Sequence, residues 1–175
     1  MSERLTTRDL ARIPLFTALI LVCTRLSIPL PGGVPVTLQT FALALAGFCL
    51  GPLRGCLAVL VYLLLGAVGL PVFSGFTGGV GCFAGPTGGF LWGFPLLAAG
   101  CGLLRSRSFP LRLAVSLPGL LLCHLLGALW YARFSGLAVL PALGAVSLPF
   151  LPKDLVSLAL ALALSRLLAR RGALR

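Results

Sequence analysis

The chain has 175 residues, of which 59% are hydrophobic and only 10% are charged, and its mean hydropathy is +1.10. Because a soluble domain of this size needs a polar surface that this composition cannot supply, we predict an integral protein of the lipid bilayer. The formal net charge of +11 does not indicate nucleic-acid binding, because the arginines lie at the ends of apolar runs and form no basic stripe interleaved with aromatic residues.

Apolar runs about as long as a bilayer-crossing helix follow one another along the sequence. The start, "MSERLTTRDLAR", is basic and leads into such a run. No small-residue cleavage site follows it, so this run is predicted to be the first membrane helix and not a signal peptide. No repeat or linker divides the chain, which is expected to be one all-α bundle and one domain over residues 1–175. The six predicted transmembrane helices cover about residues 11–28, 36–51, 54–69, 87–104, 111–132 and 149–168.

The stretches between these helices are of two kinds. Those at 29–35, 69–86 and 133–147 are rich in glycine, proline or both and almost free of charge, whereas the joints near 52–54 and 105–110 carry arginine. The side of a membrane protein with more Lys and Arg is normally cytoplasmic. Both termini are therefore expected in the cytoplasm, with the three Gly/Pro-rich loops facing outward. Eleven of the fourteen basic residues lie on the cytoplasmic side of this arrangement: Arg4, Arg8, Arg12, Arg54, Arg105, Arg107, Arg112, Arg166, Arg170, Arg171 and Arg175.

The second outward loop is unusually rich in glycine and aromatic residues. Its continuation into the next helix, "SGFTGGVGCFAGPTGGF", holds seven glycines in seventeen residues. Glycine permits a folded-back backbone and lets N–H groups approach a ligand closely, and irregular backbone near a membrane survives only where protein or a water-lined cavity covers it. We therefore interpret the loop as a lid over an apolar pocket, rather than as a flexible turn. The aromatic residues in and just after it are Phe73, Phe76, Phe83, Phe90 and Trp92.

The sequence places an acidic residue in an unexpected position. The chain has three acidic residues, and two of them, Glu3 and Asp9, lie near the N-terminus. The third, Asp154, follows the only lysine, Lys153, near the outer start of the last predicted helix. Two interpretations are open: an interfacial ion pair without a ligand, or a pocket whose carboxylate accepts N–H groups and whose ammonium donates to an oxygen. The outward loops favour the pocket.

Three further polar residues lie at or inside the predicted helices. Arg25 ends the first helix on the outer side, where it either binds an anionic ligand group or extends to the lipid headgroups. Gln39 begins the second helix, and its amide needs hydrogen-bond partners, which a cavity would provide. His124 lies mid-helix in "LLLCHLLG", where an interhelical hydrogen bond is the simpler interpretation.

Several catalytic and metal-binding patterns are missing from the sequence. It contains no GxxxxGK[ST], no HExxH, no GxSxG and no cluster of carboxylates, so we do not expect an enzyme or an ATPase. The six cysteines fall mostly inside apolar segments without CxxC spacing, and no metal site is predicted. If the protein moves a substrate uphill at the expense of ATP, another subunit must supply the ATPase.

Three stretches, taken together, resemble one family. They are "VPVTLQTFALALAGFCLGPLRG" (34–55), "YLLLGAVGLPVFSGFTGGVGCFAGPTGGFLWGF" (62–94) and "LPFLPKDL" (148–155). In this order they resemble the BioY family, the biotin-binding S-components of energy-coupling factor (ECF) transporters. The resemblance implies a six-helix protein of the cytoplasmic membrane that captures biotin, as transported ligand and not as cofactor. It also implies a transmembrane T-component and two ATPase subunits as partners.

The resemblance extends to individual residues. It implies that Asp154 contacts the ligand, and the "GPTGGF" motif adds Thr87 and Gly88 as candidates. In the commonest family pattern glycine precedes the acid and lysine follows three residues later, whereas here Lys153 precedes it and Ser157 occupies the later position. A residue at i−1 points about 100° away on a helix, so the role of Lys153 stays open. The candidate substrate contacts are Asp154, Lys153, Gln39, Arg25, Phe73, Phe76, Thr87, Gly88, Phe90 and Trp92.

Two alternatives remain beside the biotin hypothesis. The first is an S-component for another vitamin, such as thiamine or riboflavin. The second is a small intramembrane enzyme or assembly factor without a transport role. An enzyme should lose a chemical product when Asp154 is changed, whereas a binding protein should lose only ligand uptake.

Overall fold

The structure, a computed structural model, describes residues 6–28, 34–104 and 108–172. Within these ranges the protein is a bundle of eight α-helices. Two short strands, β1 (Ser27–Ile28) and β2 (Val36–Thr37), pair antiparallel, and one 3₁₀ turn spans Ser74–Phe76. The helices are α1 (Thr7–Arg25), α2 (Gln39–Leu50), α3 (Pro52–Ala67), α4 (Gly81–Ala84), α5 (Gly88–Gly102), α6 (Phe109–Ser135), α7 (Val139–Val146) and α8 (Leu151–Arg170).

Six of these helices overlap the predicted segments, and the other two replace parts of predicted loops. Helix α4 lies within the stretch 69–86, which was predicted to be an outward loop, and α7 lies within the stretch 133–147. The expectation of irregular backbone was therefore wrong at these residues. Pro141 did not prevent α7, because it is the third residue of that helix, where the missing N–H removes no intrahelical hydrogen bond.

The number of membrane crossings and their direction stay predictions. Among the described residues, α6 is the one helix that is by itself long and apolar enough to cross a bilayer. Helices α7 and α8 reach that length together, but they are bent by 54° at the break between them, and α2, α3 and α5 are apolar and shorter. Parts of the predicted arginine pattern and outward loops lie outside the described residues: Arg4, Arg105, Arg107, Arg175 and positions 29–33.

A capping box starts α1 and joins it to α3. The Thr6 N–H donates to Asp9 Oδ2 at 2.8 Å, and the Asp9 N–H donates to Thr6 Oγ1 at 3.3 Å, so both residues satisfy backbone groups at the helix end. Asp9 is 4% exposed and its Oδ2 lies 3.0 Å from Arg54 Nε on α3. Hydrogen bonds from Thr6, together with the charges of Arg54 and Arg12, hold the pKa of the Asp9 carboxyl below its ordinary value.

Helix α2 forms the centre of the bundle. Every residue from position 42 to position 50 is buried, and α1, α3, α5 and α8 all pack against this helix. Gly47 permits the close approach of α5. A Cβ at this position would overlap the Ala98 carbonyl oxygen and lie 2.8 Å from Cys101 Cβ. The small side chain therefore decides how closely the two backbones pack.

Helices α5 and α6 also meet along small residues. A Cβ on Gly93 would lie 2.8 Å from Cys123 Cα, and a Cβ on Gly100 would lie 3.4 Å from Gly119 Cα. Small residues at helix interfaces let backbones approach within van der Waals contact, which supplies much of the association energy in membranes. The pair forms one wall of the cavity described below.

The outer surface of the bundle is largely apolar, and the Arg112 side chain is buried. Leu15 is 66% exposed, Leu64 is 63% exposed and Leu140 is 79% exposed, as expected of side chains that face hydrocarbon. Arg112, counted above as a topology marker, is instead 6% exposed. It donates to the Phe48 carbonyl oxygen at 3.1 Å and its guanidinium lies 5.2 Å from the centre of the Phe48 ring, so it stabilises the bundle interior as well.

Candidate functional site

A half-open cavity of about 490 Å³ lies among α2, α3, α5, α6, the start of α8 and the loop before α5. Its wall is mainly apolar, with a few polar side chains, which is the usual character of a small-molecule site. Six of the sequence-predicted site residues line it: Gln39, Phe73, Thr87, Phe90, Lys153 and Asp154.

Asp154 is the centre of the polar part of the wall. It lies in the first turn of α8, where the partial positive charge of the helix N-terminus favours a carboxylate, and it is 4% exposed. Its Oδ2 lies 3.2 Å from His124 Nε2 on α6, and its Oδ1 accepts a hydrogen bond from Lys153 Nζ. The buried charge is therefore paired on both oxygens, which is the condition for its burial.

Lys153 reaches this carboxylate in spite of its position one residue earlier on the helix. Its Nζ donates to the Thr37 carbonyl oxygen at 3.0 Å as well as to Asp154. The long flexible stem allows the ammonium to turn back over the helix start. Lys153 thus connects α8 to strand β2, at the entry to α2, and its ammonium lines the cavity.

A second polar group of the wall surrounds Tyr62 on α3. Gln39 Nε2 donates to Tyr62 Oη at 2.9 Å, and Tyr62 Oη donates to the Val72 carbonyl oxygen at 3.3 Å. The Tyr62 ring is fully buried and meets the Phe73 ring edge to face, with 5.6 Å between the ring centres. This arrangement fixes the side chain of Gln39 and the loop that carries Phe73 against the cavity.

Two of the predicted contacts hold the loop and do not line the cavity. The Arg25 guanidinium lies 4.0 Å from the centre of the Phe76 ring and donates to the Pro71 carbonyl oxygen. Phe76 is 71% exposed and has a positive φ of 60°, next to Gly75 with a φ of 71°. Arg25 therefore attaches the loop to the end of α1 from the outside.

The remaining two predicted contacts lie beside the cavity. A Cβ on Gly88 would lie 2.9 Å from Trp130 Nε1, and that nitrogen donates to the Gly85 carbonyl oxygen at 2.9 Å, so Gly88 makes room for this loop anchor. Trp92 is 56% exposed, and its ring lies 5.2 Å from the Phe83 ring. Phe83 and Trp92 both line a separate apolar groove of about 400 Å³ between α3 and α5.

Comparison with known proteins decides the family. The BioY family profile matches residues 1–173. The chain belongs to the BioY family. It is 43% identical to the probable biotin transporter BioY of Pyrococcus horikoshii over 154 residues, with 88% of this chain and 91% of the relative covered. It is 44% identical to the biotin transporter BioY of Thermotoga maritima over 156 residues, again covering 88% and 91%.

A solved structure shows the same architecture. The crystal structure at 2.1 Å of the S-component for biotin from an ECF-type ABC transporter matches this BioY chain with a TM-score of 0.87 and 28% identity, covering 95% of each chain. The predicted all-α fold is confirmed, and membership of a transporter family makes this chain a membrane protein. No group of three or more potential metal ligands occurs among the residues that the structure describes.

Two residues that organise the polar side chains of this BioY cavity, His124 and Tyr62, were not among the predicted contacts. His124 was expected to make an interhelical hydrogen bond, which it does, but its partner is Asp154 and its ring lines the cavity. Tyr62 was not singled out at all, although it is buried and anchors Gln39. The signal for His124 was an ionisable group inside an apolar helix. For Tyr62 the only signal was a hydroxyl that needs a partner in an apolar run.

Proposed function

We propose that this chain binds biotin from outside the cell and serves as the substrate-specific component of an ECF-type ABC transporter in the cytoplasmic membrane. The observation that carries the proposal is the match, over 95% of both chains, to the S-component for biotin. In this proposal the chain forms a single domain over residues 1–175 that crosses the membrane several times, with both termini in the cytoplasm. A T-component and two ATPase subunits complete the transporter.

The chemistry of biotin supports this assignment of the cavity. Its ureido ring offers two N–H donors and a carbonyl oxygen, its thiophane ring is apolar, and its valerate tail ends in a carboxylate. Asp154 accepts a ureido N–H through a lone pair that His124, Lys153 and Thr40 leave available, since each ionised carboxylate oxygen can accept two hydrogen bonds. The Lys153 ammonium donates to the ureido oxygen.

The apolar wall accounts for the rest of the ligand. Phe73 and Phe90 line the cavity and pack against the thiophane ring and the methylene chain. Gln39 and Thr87, which also line it, offer donors for the valerate carboxylate. A cavity of about 490 Å³ falls within the range of about 300–1,000 Å³ that is usual for small-molecule sites.

The direct test is a calorimetric titration of the purified protein with biotin in detergent. We expect saturable binding at micromolar biotin or below, and none with thiamine or riboflavin under the same conditions. Absence of biotin binding by a protein that is shown to be folded would overturn the proposal. Saturable binding of another vitamin instead would favour the alternative S-component.

Arg25 provides a prediction about the loop. Because its contacts are with Pro71 and Phe76 and not with the cavity, Arg25→Ala should loosen the loop and leave the ligand contacts in place. We expect biotin to dissociate faster, with a Kd weakened by about three- to tenfold, on the basis of about 1 kcal/mol for the lost contacts. Stopped-flow intrinsic tryptophan fluorescence measures the dissociation rate.

The matched control is Arg133→Ala. Arg133 lies in the last turn of α6, on the side predicted to face outward, and is exposed. The Arg133→Ala variant is expected to leave the dissociation rate of biotin unchanged. If Arg25→Ala abolished binding at every biotin concentration tested, Arg25 would have to be a direct contact, as the sequence first suggested.

A further inference from the structure

His124 makes two contacts that define the orientation of its ring. Its Nε2 lies 3.2 Å from Asp154 Oδ2, and the Phe90 ring meets the imidazole edge to face at 90°, with 5.9 Å between the ring centres. Phe90 is in turn confined by α6, because a Cβ on Gly127 would overlap its ring. The backbone of His124 is also held, since Ser147 Oγ donates to its carbonyl oxygen at 3.3 Å.

The other ring nitrogen has no partner. His124 is 5% exposed, and within the described part of the chain nothing forms a hydrogen bond with Nδ1, which is buried. A hydrogen on Nδ1 would be a buried donor without an acceptor, which is costly, whereas a hydrogen on Nε2 points at a carboxylate. The geometry therefore assigns the tautomer with N–H on Nε2.

We propose that His124 is a positioning residue for biotin recognition: it holds the Asp154 carboxylate, through the Nε2–H to Oδ2 hydrogen bond, in the orientation that receives a ureido N–H. This inference rests on the proposed function. The carboxylate is pulled from one side by Lys153 on its own helix, and that ammonium also bonds to Thr37. Thr40 on α2 also hydrogen-bonds to this carboxylate. Without the donor on α6, Lys153 and Thr40 alone would orient the carboxylate, and its free lone pairs would turn away from the position that receives the ureido N–H.

Two amide substitutions distinguish the loss of a hydrogen-bond donor at the position of Nε2 from a general loss of packing. The glutamine amide in His124→Gln extends about as far as Nε2 and can donate to Asp154, whereas the shorter amide in His124→Asn extends only about as far as Nδ1. We expect His124→Gln to keep the biotin Kd within about threefold of the unchanged protein. We expect His124→Asn to weaken it by at least about tenfold, the usual effect of losing a hydrogen bond to a charged group.

A double substitution shows whether His124 acts through Asp154. If it does, adding His124→Asn to Asp154→Asn should weaken binding by less than about twofold beyond Asp154→Asn alone. If the two substitutions acted independently, so that their fold-changes in the biotin Kd multiplied, the proposal would be overturned. An equal loss in the glutamine and asparagine variants, when thermal unfolding shows both to be folded, would also overturn it.

Nitrogen-15 NMR provides a readout that does not depend on binding. The chain has one histidine, so protein labelled at the imidazole nitrogens gives one pair of resonances. We expect the proton to lie on Nε2, and we expect the Nε2 resonance to shift in the Asp154→Asn variant. A proton on Nδ1 instead would overturn the proposal. If the unchanged protein failed to bind biotin but showed this tautomer, the proposed function would fail while the His124–Asp154 arrangement stood.

Discussion

Replacing Asp154 by asparagine is expected to weaken biotin binding by about a hundredfold. The substitution keeps the size of the side chain but removes the charge that Lys153 and His124 surround. Its amide also presents an N–H group where the ureido ring presents one, so an attraction becomes a repulsion. Loss of a hydrogen bond to a charged group costs about 1.5–3 kcal/mol, and about 1.4 kcal/mol is a factor of ten in Kd. Calorimetric titration in detergent measures the change.

Asp9→Asn is the matched control for this experiment. Asp9 and Asp154 are each 4% exposed, each lies in the first turn of a helix, and each pairs with a basic side chain. Asp9, however, does not line the cavity. Asp9→Asn should reduce thermal stability and leave the biotin Kd unchanged. Equal affinity for biotin in the Asp154→Asn and unchanged proteins would make Asp154 a structural residue only.

Gly47→Ala is expected to cause a large loss of stability. The new Cβ would overlap the Ala98 carbonyl oxygen on α5, and because this atom belongs to the backbone, no side-chain rotation can relieve the contact. Overpacking of a core usually costs about 1–3 kcal/mol. We expect the Tm in detergent to fall by about 5–10 °C, as measured by the intrinsic fluorescence of the two tryptophans during heating.

Gly144→Ala is the control for the added methyl group. Gly144 lies in α7, and a Cβ built there has nothing within 4 Å. Because alanine is the better helix former, the Tm of this variant should stay the same or rise slightly. A Tm of Gly47→Ala equal to that of the unchanged protein would show that α2 and α5 are packed less closely than the structure describes.

Helix positions could be predicted from the sequence because a membrane helix carries its own signal. Runs of apolar residues of fixed minimum length located the six longer helices to within a few residues. Helix α7 gave no such signal, because it is only eight residues long and contains proline and glycine. Its helicity depends on packing against α6, and a pattern in one segment does not contain that information.

The candidate site was predictable where the chemistry is local to one segment. Asp154 and Lys153 were identifiable because an acid and a base in an apolar run are costly and need a reason. The role of Arg25 was not, because the same side chain at a helix end can face a ligand, the lipid headgroups or a loop, and only the position of Pro71 decides among them. The partner of His124 lies thirty positions along the chain on another helix, and no spacing rule connects them.

The hydrogen bond from Lys153 to Thr37 has a consequence for biosynthesis. It joins residues 116 positions apart, and chains emerge from the ribosome N-terminal end first. Until α8 has been synthesised and inserted, the cavity has no carboxylate and one side of its wall is missing. A prematurely terminated chain would therefore carry most of the bundle and an incomplete cavity, and under the proposed function we expect it not to bind biotin.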